Sequence, residues 1–131
     1  MTGSQLAVLD ASAVLAVILR ERRAHHLTPK VLQNAVISTV NLAEVQSKLV
    51  KAGYDAEDAW KDAVSIASAI EPYTAEQAKI AGTLIAQTEN QGLSLGDRSC
   101  LALAIMLNAT VYTTDQIWQS LQVGVRIHVI R

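Results

Sequence analysis

The chain contains no phenylalanine, and Trp and Tyr bring the aromatic share to only 4%. Ala, Leu, Val and Ile must therefore fill the core, which suits helices packed on a small sheet. One cysteine in 131 residues excludes an internal disulfide and fits a reducing compartment. Strong charge of one sign is missing too: 11 Lys and Arg against 12 Asp and Glu leave a formal net charge of −1. A protein that grips nucleic acid by bulk charge is usually basic, so a simple nucleic-acid coat is disfavoured. The opening "MTGSQLAVLD" has no basic segment of the kind that starts a secretory signal. The runs "ASAVLAVIL" and "CLALAIML" are too short to cross a bilayer, which takes about 20 apolar residues. A soluble, cytoplasmic protein that engages no membrane is expected. No repeat, low-complexity tract or Gly/Ser linker divides the chain, so residues 1–131 are expected to form one domain.

What is present is an alternation of short apolar runs with helical stretches. "QLAVLD" (5–10) reads as a buried strand, and "ASAVLAVILRERR" (11–23) as the helix after it. A short helix with Pro29 in its first turn precedes the strand "AVISTV" (35–40). In "LAEVQSKLVKAG" (42–53), Leu42, Val45, Leu49 and Val50 share a helical face that Gly53 ends. Helices are expected over 55–70 and 74–92, with a short strand near "IEPY" (70–73). "SLGDRSCLALAIMLNA" (94–109) is apolar almost all round after Ser99, as a buried central helix would be, and holds Cys100 as inert core. "TVYTT" (110–114), one or two helical turns, and "VRIHVI" (125–130) complete the pattern. Such alternation implies an α/β fold with a mostly parallel sheet, whose ligand site lies outside the carboxyl ends of the strands.

Four acids fall on that edge. Asp10 ends the first strand, Glu44 opens the helix after the second, Asp97 lies in the first turn of the central helix, and Asp115 follows "TVYTT". Taken singly, each is equally well explained as a cap. Asn41 with Glu44 and Ser94 with Asp97 have capping-box spacing, and Glu44 precedes Lys48 by one helical turn. Asp10 fits that account least, because a carboxylate ending an apolar strand is costly without a partner. Four carboxylates on one rim repel unless a cation binds, and oxygen-only donors suit Mg²⁺ or Mn²⁺. No Cys/His set has zinc spacing, and His25, His26 and His128 read as structural or surface residues. A carboxylate-held metal clamps phosphate oxygens and activates water, which points to phosphodiester hydrolysis. With the four acids set aside, the remaining 8 leave the chain at 11 − 8 = +3, a positive path to a negative site. There is no phosphate-binding "G-x-x-x-x-G-K-[ST]" loop and no "G-x-S-x-G" elbow.

"VLDASAVLAVIL", "ISTVNLAEV", "LSLGDRSCLALA" and "VYTTD" resemble, in order and spacing, the motifs of PIN-domain ribonucleases, with the nearest likeness to VapC-type toxins. The resemblance spans essentially the whole chain. It implies a PIN-like α/β fold, a five-stranded mostly parallel sheet flanked by helices. It also implies a Mg²⁺ or Mn²⁺ centre, endonucleolytic cleavage of RNA, a homodimer, and neutralisation by a small VapB-like antitoxin. The family's acids map in order to Asp10, Glu44, Asp97 and Asp115, with Ser12 and Thr114 at positions of small polar residues that support the site. Gln116 stands where relatives often carry Arg, and "RERRAHH" replaces a shorter connection.

On these expectations Asp10, Glu44 and Asp97 hold a metal. Asp115 completes the cluster or serves a second ion, and Ser12 and Thr114 fix the carboxylates. Asn41 keeps its capping role. Arg20, Arg22, Arg23, Lys30 and Arg98 are candidates for RNA phosphate contacts. The alternatives are a solvated helix end for the first four and a structural ion pair for Arg98. Trp60 and Trp118 either stack on bases or pack in the core or an interface. Two rival functions use the same residues: a metal-dependent DNA nuclease or phosphoesterase, and a non-catalytic interaction module that keeps the fold.

Overall fold

The computed structural model describes residues 5–131. Five strands form one all-parallel sheet in the order β3-β2-β1-β4-β5: β1 (Ala7–Leu9), β2 (Ala35–Ser38), β3 (Ala69–Glu71), β4 (Thr110–Thr113) and β5 (Ile127–Val129). The helices are α1 (Ala11–Ile18), α2 (Pro29–Gln33), α3 (Thr39–Lys51), α4 (Ala56–Ser65), α5 (Ala75–Thr83), α6 (Ile85–Thr88) and α7 (Leu95–Leu107). β1 is central and buried on both sides, so it is apolar throughout rather than alternating. Ala7 and Leu9 face a core built with α1, α3 and α4. Val8 faces the other way, into a core with α7, Leu84 and the wholly buried Trp118. Trp118 is thus core, while Trp60 is exposed. Among the described residues, no helix is long and apolar enough to cross a membrane.

Several elements are shorter than their sequence patterns suggest. α1 ends at Ile18, five residues early, because the chain turns back on itself. Arg20 takes a left-handed conformation (φ 56°), and the Arg20 and Glu21 N–H groups donate to the Val17 and Ala16 carbonyls. A 3₁₀ turn, Arg22–His26, follows. α4 stops at Ser65 because β2 captures the next segment: Ser68 N–H donates to the Ala35 carbonyl, and its hydroxyl to that of Leu32. The single helix expected over 74–92 is broken into α5, α6 and a 3₁₀ turn. Thr83 and Thr88 hydroxyls bond back to the Lys79 and Leu84 carbonyls there, and Gly92 ends the run at φ 68°. Leu42, Val45 and Leu49 are buried as their spacing predicts, whereas Val50 is exposed.

The chain passes from β1 outward to β2 and β3, then returns across the sheet to β4 on the other side of β1. Beyond the carboxyl ends of β1 and β4 the connections diverge, and a crevice opens there.

Candidate active site

A cleft of about 310 Å³ occupies this crevice, lined by Asp10, Ser12, Asn41, Glu44, Lys48, Asp97, Thr114 and Asp115 together with Ala11. Four acids from separate parts of the chain therefore share one hollow. Three of them, Asp10, Asp97 and Asp115, are placed by the start of a helical element. Asp10 caps α1, accepting from Ala13 N–H at 2.8 Å. Asp97 closes a reciprocal capping box with Ser94 at the head of α7. Asp115 caps the 3₁₀ turn Gln116–Ser120, accepting from Ile117 N–H at 3.0 Å.

Glu44 is placed differently from expectation. The cap of α3 is Ser38, which accepts from Val40 N–H at 3.2 Å, so the helix begins one turn earlier. Asn41 is consequently a buried helical residue and not a cap. Its Nδ2 donates to Glu44 Oε1 at 2.7 Å and to the Gly96 carbonyl at 3.1 Å, tying α3 to α7. Gly96 is needed at this seam. A Cβ there would lie 2.3 Å from Glu44 Oε2.

Asp10 is the most constrained of the acids. Its Oδ1 accepts from the Ser12 hydroxyl at 2.6 Å, and its Oδ2 from the Thr113 hydroxyl at 2.5 Å. Burial pushes its carboxyl up from 3.8 to about 6. The bonds from Ser12, Thr113 and the Ala13 N–H pull the other way without cancelling that cost, and the nearby Asp97 charge adds to it. Thr113 was not anticipated; the sequence pointed to Thr114. The Thr114 side chain lines the cleft, but its link to the acid runs through its backbone N–H, which donates to Ser12 Oγ at 3.0 Å. Strand alternation gives the reason: Thr113 turns inward and is fully buried, and Thr114 does not. The signal for Thr113 was therefore parity within "TVYTT".

Cys100 lies fully buried, and burial foremost, then the charges of Asp10, Asp97 and Glu44, pushes its thiol well up. It is inert.

The basic residues named from the sequence do not line the cleft. Arg22 and Arg23 border a separate hollow with Glu21 and Arg131, and Arg23 pairs with Glu21 at 2.7 Å. Lys30 borders another, beside Gln5 near the start of β1. Arg20 is exposed at its turn. Among the described residues Arg98 makes no ion pair; its Nη1 donates to the Ala81 carbonyl at 2.9 Å and docks α7 on α5. The cation that does line the cleft is Lys48, on the same face of α3 as Glu44 and one turn on.

The donor set fits a hard divalent cation. Glu44 Oε2, Asp97 Oδ1 and Asp115 Oδ2 accept no hydrogen bond among the described residues. Asn41 Oδ1, buried against the cleft, has no donor either. The burial cost on Asp10 is one that a cation would offset. As they stand, no three described His, Cys, Asp or Glu side chains form a group that could hold a metal ion. Mg²⁺ tolerates this better than most ions, since it keeps several waters and takes only one or two carboxylates directly.

A family model of the PIN domain matches residues 7–123. The chain belongs to the PIN-domain family. No curated protein matches it in sequence. Solved structures share the PIN fold at low identity. One is VapBC2 from Rickettsia felis bound to a DNA fragment of its promoter, 19% identical over 96% of this chain and 99% of that one, TM-score 0.75. A toxin–antitoxin complex from Klebsiella pneumoniae is 18% identical over 94% and 96%, TM-score 0.74. VapC20 of Mycobacterium tuberculosis, a toxin that cleaves the sarcin–ricin loop, is 18% identical over 92% and 98%, TM-score 0.69. This PIN domain thus has the five-stranded α/β architecture expected of it, with every strand pairing parallel.

Proposed function

We propose that this PIN domain is a metal-dependent endoribonuclease and the toxin of a toxin–antitoxin pair. The observation that carries the proposal is the convergence of Asp10, Glu44, Asp97 and Asp115 on one cleft that also holds Lys48. Mg²⁺ or Mn²⁺ bound there would supply Lewis acidity toward a phosphate oxygen and a water of lowered pKa. Asp10, Glu44 and Asp97 would hold it, with Asp115 completing the set. The chain's own residues do the rest. Ser12, Thr113 and the Ala13 N–H hold both Asp10 oxygens in place. Asn41 fixes Glu44 against α7. Lys48 offers an ammonium to the non-bridging oxygens of a phosphodiester lying across the cleft.

RNA is favoured over DNA as substrate by the likeness to a toxin that cleaves the sarcin–ricin loop. Solved neighbours that are toxin–antitoxin complexes support a VapB-like antitoxin as partner. Leu95 and Ile117 are 57% and 53% exposed, and each stands two residues from a cleft acid, so an apolar partner segment has a foothold on the rim. Pairing of two copies is proposed on the family resemblance alone.

The test is cleavage of a mixed cellular RNA pool by the purified chain with Mg²⁺, Mn²⁺ or EDTA, beside Asp97→Asn. Discrete fragments that need metal and vanish in the variant are expected. A duplex and single-stranded DNA pool in parallel separates the substrates. Metal-independent fragments, or equal cleavage by the variant, would refute the site.

A further inference from the structure

The segment "RERRAHH" and the last strand contain all three histidines of the chain, and the fold gathers them at the β5 edge of the sheet. His26 Nδ1 stands 3.3 Å from His128 Nε2, although the residues are 102 positions apart. The His25 ring lies against that of His26, centroids 4.3 Å apart. His25 Nδ1 is 2.9 Å from the Arg22 carbonyl oxygen; as donor there, it leaves its Nε2 bearing the lone pair. Tyr112, one strand over on β4, stacks on His128 at 4.9 Å and fixes the ring's plane. Neither His26 nor His128 touches the carboxylate cleft.

The separation of the two nitrogens is informative. Two Zn–N bonds of about 2.0–2.1 Å at a tetrahedral angle span about 3.3–3.4 Å between donors. The same two atoms otherwise share a single proton in an N–H···N contact. The ring that accepts in that contact already carries its own proton on its far nitrogen. Moving the shared proton to the far nitrogen of the donor ring alone therefore leaves one proton each on His26 Nε2 and His128 Nδ1, both rings neutral, and frees the lone pairs of the two facing nitrogens. No net proton is released. Burial, then the charge of His26, lowers the His128 pKa and favours that neutral form.

We propose that His26 Nδ1 and His128 Nε2 form a second cation site, suited to a borderline transition metal such as Zn²⁺ and separate from the oxygen-lined cleft. Imidazole donors select Zn²⁺, Ni²⁺ or Cu²⁺, whereas carboxylates select Mg²⁺ or Mn²⁺. Two protein donors leave the remaining positions to water, with His25 the nearest further imidazole. A metal here ties the 3₁₀ turn Arg22–His26 to the edge strand. It would hold Arg22 and Arg23 beside Arg131, the three arginines that border the neighbouring hollow.

The test uses the full chain without a polyhistidine tag. Zn²⁺ is titrated by calorimetry, and imidazole ¹H–¹⁵N correlation spectra are recorded across the titration. His26→Ala, His128→Ala and Asp97→Asn are compared, with circular dichroism to confirm folding. The expected result is shifts at His26 Nδ1 and His128 Nε2, a loss of Zn²⁺ affinity of about tenfold or more in each histidine variant, and retention in Asp97→Asn. Unmoved imidazole signals, or Zn²⁺ uptake that survives both histidine variants and disappears in Asp97→Asn, would overturn the proposal. Either result is independent of whether the cleft cleaves RNA.

Discussion

The Thr113 hydroxyl donates to Asp10 Oδ2 at 2.5 Å and accepts from the Asp115 N–H at 3.1 Å, so one buried side chain joins two of the cleft's acids across the β1–β4 seam. Ser12 mirrors it on the other oxygen of Asp10, accepting in turn from the Thr114 N–H. Asp10 therefore has both oxygens committed before any substrate arrives.

Replacing Thr113 by valine keeps the volume and removes the hydroxyl. A buried charge that loses a hydrogen bond costs about 1–3 kcal/mol, and supporting partners of metal ligands are worth about 10–100-fold in affinity or activity. Thr113→Val should fall in that range for metal-dependent cleavage, and its Asp10 should titrate higher. Thr114→Val should be close to the parent, because no hydrogen bond from its side chain reaches Asp10. Metal titration and initial rates on both variants check this. Equal losses in the two would mean that Thr113 has no special role.

Asp10 makes stability depend on pH in an unusual direction for a carboxylate. Unfolded, it titrates near 3.8; folded, it keeps its proton up to about 6. The folded state therefore binds the extra proton between those values. The contribution to stability is fully present below the lower value and is lost as pH rises through the upper one, by roughly 3 kcal/mol. Asp10→Asn retains a capping residue but abolishes this dependence. In EDTA at pH 7.5 the variant should be the more stable protein, and Mg²⁺ should raise the Tm of the parent alone. Urea unfolding at pH 4.5 and 7.5 measures the pH dependence, and thermal unfolding in EDTA and in Mg²⁺ measures the Tm. A parent and variant with identical pH slopes would show that burial of Asp10 carries no such cost.

Gly96→Ala is the cleanest probe of Glu44. Alanine is the better helix former, so the change favours α7 locally by roughly 1 kcal/mol. Its Cβ would meet Glu44 Oε2 at 2.3 Å, and the flexible carboxylate is what must move, breaking its bond from Asn41. Thermal stability should change little while cleavage falls at least about tenfold. Full activity in Gly96→Ala would mean that the position of Glu44 does not matter.

Much of this was legible from the chain because strand-to-helix boundaries are chemically marked. Asp10 and Asp115 each follow a strand and cap the helical turn after it, and Asp97 completes the capping box at the head of α7, so their common edge could be foreseen. The start of α3 could not. "STVNLAE" holds three capping-competent residues, Ser38, Thr39 and Asn41, and with Asn41 buried between α3 and α7 the cap falls to Ser38. Arg98, with a phosphate contact and a structural ion pair both open from the sequence, is turned by helix periodicity toward α5 and bonds a carbonyl there instead. The meeting of His26 with His128 was invisible, since it depends on β5 being the strand beside β4.

Lys48 follows Glu44 by one turn of α3, the spacing of a surface ion pair, and it also lines the cleft. Such a pair contributes about 0.2–0.5 kcal/mol, so Lys48→Met should leave stability nearly unchanged. Its place in the cleft predicts more for function. If the ammonium meets a substrate phosphate, the variant should bind RNA more weakly at every sequence, and the salt slope of log Kd should flatten by roughly 0.7–0.9. Arg22→Met and Arg23→Met, which lie at another hollow, should alter the salt slope without changing the rate at saturating RNA. Lys48→Met should lower that rate as well, because its contact is with the phosphate that reacts rather than with a flanking one. Cleavage rates at saturation, together with Kd across a salt series, separate the two kinds of contact. An unchanged saturated rate in Lys48→Met would reassign it from the reacting phosphate to a neighbouring one.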